Sequence, residues 1–154
     1  MRTVFEAPDA TFEVDEIHSI FSFSWNGIVS EKSVKRVMTL ASKSSAILED
    51  VHWFIDRRNL EGYSPEARIW LKNEFVNEVG KELISKTDRI AAVNSDSPMS
   101  KLSSNVLIDA LKKINSDIDY QEFDIPKPAL NWLQNIIEDV KPSKKKRRFF
   151  GRKK

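Results

Sequence analysis

A chain of 154 residues, 40% hydrophobic and 31% charged, has the size of one domain and can bury a core without metal or disulfide staples. It has no cysteine, which excludes disulfide frameworks, thiolate catalysis and every Cys-ligated zinc or iron–sulfur site. Its formal net charge of +2 is the sum of an acidic body and a strongly basic end, and no apolar run approaches the roughly 18 residues of a membrane span.

In chain order, the acidic, patterned N-terminus (MRTVFEAPDATFEVDE) is unlike a signal peptide, so a cytoplasmic location is expected. Thr11–Val14 and Ile17–Trp25 read as strands. In the second, Ile17, Ser19, Phe21, Phe23 and Trp25 share one parity and Ser22 and Ser24 the other, the alternation of a half-buried strand. Asp15-Glu16 joins them as an antiparallel hairpin. Asn26-Gly27 is expected to turn the chain, Gly27 being free to take a positive φ. Ser30 caps a helix with Glu31 in its first turn and Val34, Val37, Met38 and Ala41 inward. Val51–Ile55 is the next strand, ending at Asp56 before a loop over Arg57–Tyr63.

Ser64 and Pro65 then start a second helix, with Glu66 facing the dipole. Ala67, Leu71, Phe75, Val79 and Leu83 form its stripe, which Trp70 widens. Arg89–Asn94 reads as a short strand buried on both faces. Ser97-Pro98 repeats the helix start, with Leu102, Val106, Ala110 and Ile114 inward. Tyr120–Phe123 is a last strand. Pro126–Val140 is a last helix, with Ala129, Leu133, Ile136 and Val140 inward. The order ββαβαβαβα predicts one α/β domain over residues 1–140. Its single mixed sheet starts as an antiparallel hairpin and continues as parallel strands with crossover helices.

The segments SFSWNGIVS, WFIDRRNLEGYSPEARIWL, RIAAVNSDSP and EFDIPKPALNWL together resemble the STAS superfamily. The likeness is to small stand-alone bacterial proteins related to the anti-sigma-factor antagonists, of SpoIIAA-like fold. It covers roughly residues 5–137 and rests on apolar and turn positions, which specify fold better than function. What it implies is a regulatory or binding module without catalysis, engaging a protein partner or small ligand. Members with a phosphorylation switch carry a Ser or Thr after the third strand in an Asp-Ser-Ser-Gly-like stretch. The matching residues here are Asp56-Arg57-Arg58-Asn59-Leu60, which lack the hydroxyl. Ser64 is the nearest one, and capping already accounts for it.

The residues themselves carry no catalytic signature. His18 and His52 fall in different strands without carboxylates at metal-ligand spacing, so they read as solvated or hydrogen-bonded residues rather than ligands. Four glycines build no phosphate loop. The pairs Asp15-Glu16 and Glu138-Asp139 sit at turns or helix ends. The tryptophans Trp25, Trp53, Trp70 and Trp132 fall one per element, as core residues do. No cofactor is expected. One candidate anion site lies at the carboxyl ends of the strands, where α/β sheets place ligands. Arg57, Arg58, Ser64, Ser95 and Ser97 would converge there if their two strands are neighbours. The competing reading is surface pairing of Arg57 and Arg58 with Glu61 and Glu66. A small enzyme acting on a phosphate-bearing substrate is the most distant alternative.

From Lys141 the chain reads KPSKKKRRFFGRKK. Its nine basic residues are Lys141, Lys144, Lys145, Lys146, Arg147, Arg148, Arg152, Lys153 and Lys154, with no acid among them. Removing these nine from 25 leaves 16 basic against 23 acidic residues, so residues 1–140 carry −7. Pro142 marks the boundary, and such dense like charge cannot bury a core, so 141–154 is expected to be disordered when unbound. Interleaved with Phe149 and Phe150, the charges suit an anionic membrane at the inner face of the cytoplasmic membrane. They also suit nucleic acid, where the Phe pair would stack on unpaired bases. A passive tail is the third option. The apolar pair favours lipid, because duplex binding has no use for it.

Overall fold

The computed structural model describes residues 1–95 and 98–134, the side chains of 98–104 excepted. Six strands form one sheet in sequential order: β1 (Arg2–Ala7), β2 (Ala10–Asp15), β3 (Ile20–Val29), β4 (Val51–Tyr63), β5 (Thr87–Val93) and β6 (Asp119–Phe123). Pairings β1–β2 and β2–β3 are antiparallel, and β3–β4, β4–β5 and β5–β6 are parallel. The expected mixed sheet is therefore present, with β1 added in front of the expected hairpin. Among the described residues five α-helices connect or follow the strands: α1 (Glu31–Ser44), α2 (Pro65–Trp70), α3 (Lys81–Lys86), α4 (Pro98–Ile114) and α5 (Pro126–Gln134).

The helices divide over the two faces. Val34, Val37 and Met38 of α1, Ala67 and Trp70 of α2, Leu83 and Ile84 of α3 and Ile108 and Leu111 of α4 pack with Phe12, Phe23, Trp53 and Ile90 in one large core. On the other face Ala129 and Leu133 of α5 meet Ile20, Phe54, Ala91 and Val93. β5 is accordingly buried at every residue, as a strand covered on both faces must be. The large core is rich in aromatic contacts. Phe12 stacks on Phe23 at 5.3 Å between ring centroids, Phe23 lies 5.2 Å from Trp53, and Trp25 meets Tyr63 edge-on at 5.9 Å.

Two of the three expected caps form, and the third, Ser97, lies outside the described residues. The Ser30 hydroxyl accepts from Ser33 N and the Ser64 hydroxyl from Ala67 N, with Pro65 opening α2. Asp9 reinforces the first cap, accepting from Ser30 N at 3.0 Å and Ser33 Oγ at 2.6 Å.

Several boundaries differ from the sequence reading. β3 starts at Ile20, and Ile17 lies in the preceding turn at 89% exposure. There the Asp15 carboxylate accepts from the backbone amides of Ile17 and His18, so local hydrogen bonds win over strand propensity. Asn26-Gly27 does not turn the chain. Both residues lie inside β3, with Gly27 at φ 67°. Opposite them β4 runs on to Tyr63, so the expected loop 57–63 is strand.

The reason is two bulges. Between Ser24 and Asn26 of β3 the partner advances from Asp56 to Asn59, and between Gly27 and Ile28 from Leu60 to Gly62. Each inserts one residue into β4 and reverses its side-chain alternation. That is how Trp53 and Ile55, then Leu60, then Tyr63 all reach the same core.

The α2–α3 stretch also departs from a plain helix. Leu71–Val79 is π-helical, and Gly80 N donates to Phe75 O at 2.7 Å, five residues back. Val76 and Ile84 join the core, whereas Val79 is 39% exposed. In α4 Ile108 and Leu111 are buried and the expected Ala110 packs against the same core, whereas Val106 is 52% and Ile114 36% exposed; the Leu102 side chain lies outside the described ones. A strict four-residue spacing drifts around a 3.6-residue helix, and the face that meets the sheet is offset from it. For the last helix, the expected continuation to Ile136 and Val140 lies outside the described residues, as does the tail 141–154.

Candidate functional site

β4 and β5 are neighbours, which is the condition for a site at their carboxyl ends. Pairing between them ends at Asp56 and Val93, and β6 ends beside them at Phe123. Asn94 N continues the ladder by one bond, to Phe123 O at 2.8 Å. Arg57, at the first bulge of β4, extends past the end of β5 and is 1% exposed.

Its guanidinium has neighbours on three elements. Nε donates to Val93 O at 3.4 Å, Nη2 donates to Asn94 Oδ1 at 3.1 Å, and Nη2 lies 3.6 Å from Glu122 Oε2. Nη1 is buried and has no hydrogen-bond partner. Glu122 also accepts from the Tyr120 hydroxyl at 2.9 Å. Burial pushes the Tyr120 phenol up. The Arg57 charge opposes that shift and the Glu122 bond adds to it, so Tyr120 stays a neutral donor. Asn94 Nδ2 donates to Asp124 Oδ1 at 3.2 Å, which fixes the amide with its oxygen toward Arg57.

The five expected anion-site residues do not all meet. Arg57 and Ser95 come to this edge, Ser95 donating its hydroxyl to Leu60 O at 2.9 Å. Arg58 diverges to the surface and forms a fork with Asp56: Nε to Oδ1 at 3.0 Å and Nη2 to Oδ2 at 2.8 Å. Burial works to raise the Asp56 carboxyl, but the hydrogen bonds and charge of Arg58 outweigh it and hold the group below the usual carboxylate range. Ser64 is occupied as the α2 cap. Ser97 lies outside the described residues. The arginines thus pair with Glu122 and Asp56, partners distinct from the expected Glu61 and Glu66.

Asn94, Tyr120, Glu122 and Asp124 complete the cluster without having been expected in it. The one sequence signal is the i, i+2 spacing of Tyr120 and Glu122 on a strand, which puts two polar groups on one face. His18 sits in the turn before β3 with Nδ1 2.9 Å from Asp15 Oδ2, and His52 is buried in β4. Among the described residues no group of three or more His, Cys, Asp or Glu is placed to hold a metal. On the opposite face the Arg89 guanidinium lies 4.5 Å over the Trp132 ring and donates to Trp132 O at 3.0 Å, tying α5 to β5. No helix among the described residues is long and apolar enough to cross a membrane.

No family model matches the chain, and no curated protein matches it. Among solved structures it is similar to an uncharacterised protein of the DUF3478 family from Shewanella loihica PV-4, which has a SpoIIAA-like fold. The TM-score is 0.57 at 18% identity, over 86% of this chain and 98% of the other. An antiparallel start, a parallel continuation and this likeness agree on the architecture: the chain has a SpoIIAA-like α/β fold.

Proposed function

We propose that this chain is a regulatory binding module without catalysis, attached reversibly to an anionic membrane surface by residues 141–154. The observation that carries the reading is the division of charge: −7 over residues 1–140 against nine cations and Phe149-Phe150 in the last fourteen positions. Each Lys or Arg near an anionic bilayer contributes about 1 kcal/mol, which sets a nominal ceiling of about 9 kcal/mol. Salt screening and the acidic body lower that figure. Partial insertion of each Phe adds a fraction of the roughly 1.5–3 kcal/mol of its full burial. The balance supports reversible rather than permanent attachment. The polar groups at the carboxyl edge support a structural role there rather than chemistry, because Arg57, Arg58 and Tyr120 are engaged by neighbouring side chains.

The test is co-sedimentation of the full chain with phosphatidylserine-containing or neutral phosphatidylcholine vesicles across a salt series, with duplex and single-stranded DNA as competitors. Binding to the anionic vesicles alone is expected, weakened by Phe149→Ala and Phe150→Ala. DNA binding that displaces lipid and ignores both substitutions would move the tail to nucleic acid. Binding to neither would refute a recruiting tail.

A further inference from the structure

The outer edge of β1 has no strand partner among the described residues. In an antiparallel pair alternate residues direct their N–H and C=O groups outward, so this edge presents a row of unpaired backbone groups. Beside it a groove of about 1070 Å³ runs between β1 and α1. Its apolar lining includes Phe5 and Leu40, and the exposed cations Lys32, Lys35, Arg36 and Lys43 follow one another along the α1 side.

Those cations recur at helical spacing on one face of α1. From Lys32 to Lys43 the helix rises roughly 16 Å, the length of about five extended residues. β1 itself has six. The groove they line meets β1 along Phe5, Glu6 and Ala7 and continues over the turn at Pro8 and Asp9. Two acids, Glu6 and Asp9, line the groove against these four cations. Lys35 reaches Glu31 at 3.5 Å on the surface, and Lys32, Arg36 and Lys43 make no ion pair among the described residues. Asp9 lines the groove but turns its carboxylate to Ser30 N and Ser33 Oγ. The other sheet edge has the opposite sign, since β6 carries Asp119 and Glu122 with Asp124 next to it.

We propose that this groove docks an extended acidic peptide segment of a partner protein, which adds to β1 as a further strand. Backbone pairing with β1 supplies the register. Alternate side chains of the added strand point toward α1: Asp or Glu where they meet the cations and a small apolar residue where Phe5 and Leu40 line the groove, the intervening residues facing away. The acidic signature distinguishes β1 from the acidic β6 edge. The inference rests on α1 and β1 alone and holds whether or not the tail binds lipid.

The experiment presents the full-length protein to immobilised short peptides that alternate Asp/Glu with Val/Thr, and to a Lys/Arg counterpart set. Selection of the acidic set is expected. The double variant Lys32→Glu/Arg36→Glu, which leaves the basic tail intact, should weaken the selected peptide by at least about tenfold. Methylating alternate backbone nitrogens of that peptide should abolish binding in one register and spare it in the other. Amide hydrogen exchange on the wild-type protein should show new protection in β1, a readout that stands even if the double variant fails to fold. No selection of acidic peptides refutes the proposal. So does equal binding by the charge-reversed variant, which would place the contact on the tail, and so does indifference to both methylation registers. Loss of phosphatidylserine-vesicle binding by the charge-reversed variant, without peptide selection, would assign the groove to a lipid surface instead.

Discussion

Gly80→Ala tests the π-helical passage between α2 and α3. Helix propensity predicts at most a small gain, since the advantage of Ala over Gly of up to about 1 kcal/mol holds for a helix interior and Gly80 is the junction between the π-helical stretch and α3. Space predicts the opposite. A Cβ on Gly80 would stand 2.7 Å from Phe75 Cδ1 and closer still to Cε1 and Cζ. The Phe75 ring has nowhere to retreat, being wholly buried and packed 6.0 Å from Trp70. Overpacking of this kind costs roughly 1–3 kcal/mol, so the steric effect should win by up to about 2 kcal/mol. At this chain length that lowers the melting midpoint by several degrees, at about 2–4 °C per kcal/mol. Urea unfolding of the wild type, Gly80→Ala, Phe75→Leu and the double variant measures it. The double variant should lose less than the sum of the singles, because Leu vacates the ring positions the methyl needs. A Gly80→Ala protein as stable as the wild type, or additive singles, would refute the argument that Phe75 dictates glycine here.

Two further predictions concern charged side chains held by hydrogen bonds. Arg57→Met should destabilise by about 1–3 kcal/mol, because Asn94 and Glu122 lose a donor; unchanged urea stability would show that the arginine is not structural. For Asp9, burial acts to raise the carboxyl, but the Ser30 amide and the Ser33 and Ser30 hydroxyls outweigh it and hold it below its ordinary value. A depressed folded pKa contributes stability that is present above the unfolded value, near 4, and lost as pH falls through the folded one. Asp9→Asn should therefore flatten part of the stability loss as pH falls below about 4. Retention of the full acid dependence in this variant would place it on other carboxylates, Asp15 and Asp56 being the nearest candidates, since both are also held low.

The elements legible from the chain alone were those specified by neighbours in sequence. Ser30 and Ser64-Pro65 start helices because a hydroxyl reaches an amide three residues on, a contact needing no distant partner. The strand expected over Arg89–Asn94 is an interior strand because its apolar run Ile90–Val93 suits burial on both faces, though it begins earlier, at Thr87. β1 escaped notice because its stability comes from pairing with β2, and its exposed edge leaves only a weak pattern. The candidate site was half legible for the same reason. Arg57 stood out as a cation near a strand end, but Asp-Arg-Arg-Asn reads as loop when only local polarity is weighed. It is strand because β3 supplies a bulged partner and because Glu122, far along the chain, reaches the guanidinium. Sequence determined where helices begin and which segments are apolar enough to be central. Tertiary structure alone decided which of two adjacent arginines is buried, because that depends on a bulge register and on a carboxylate from another strand.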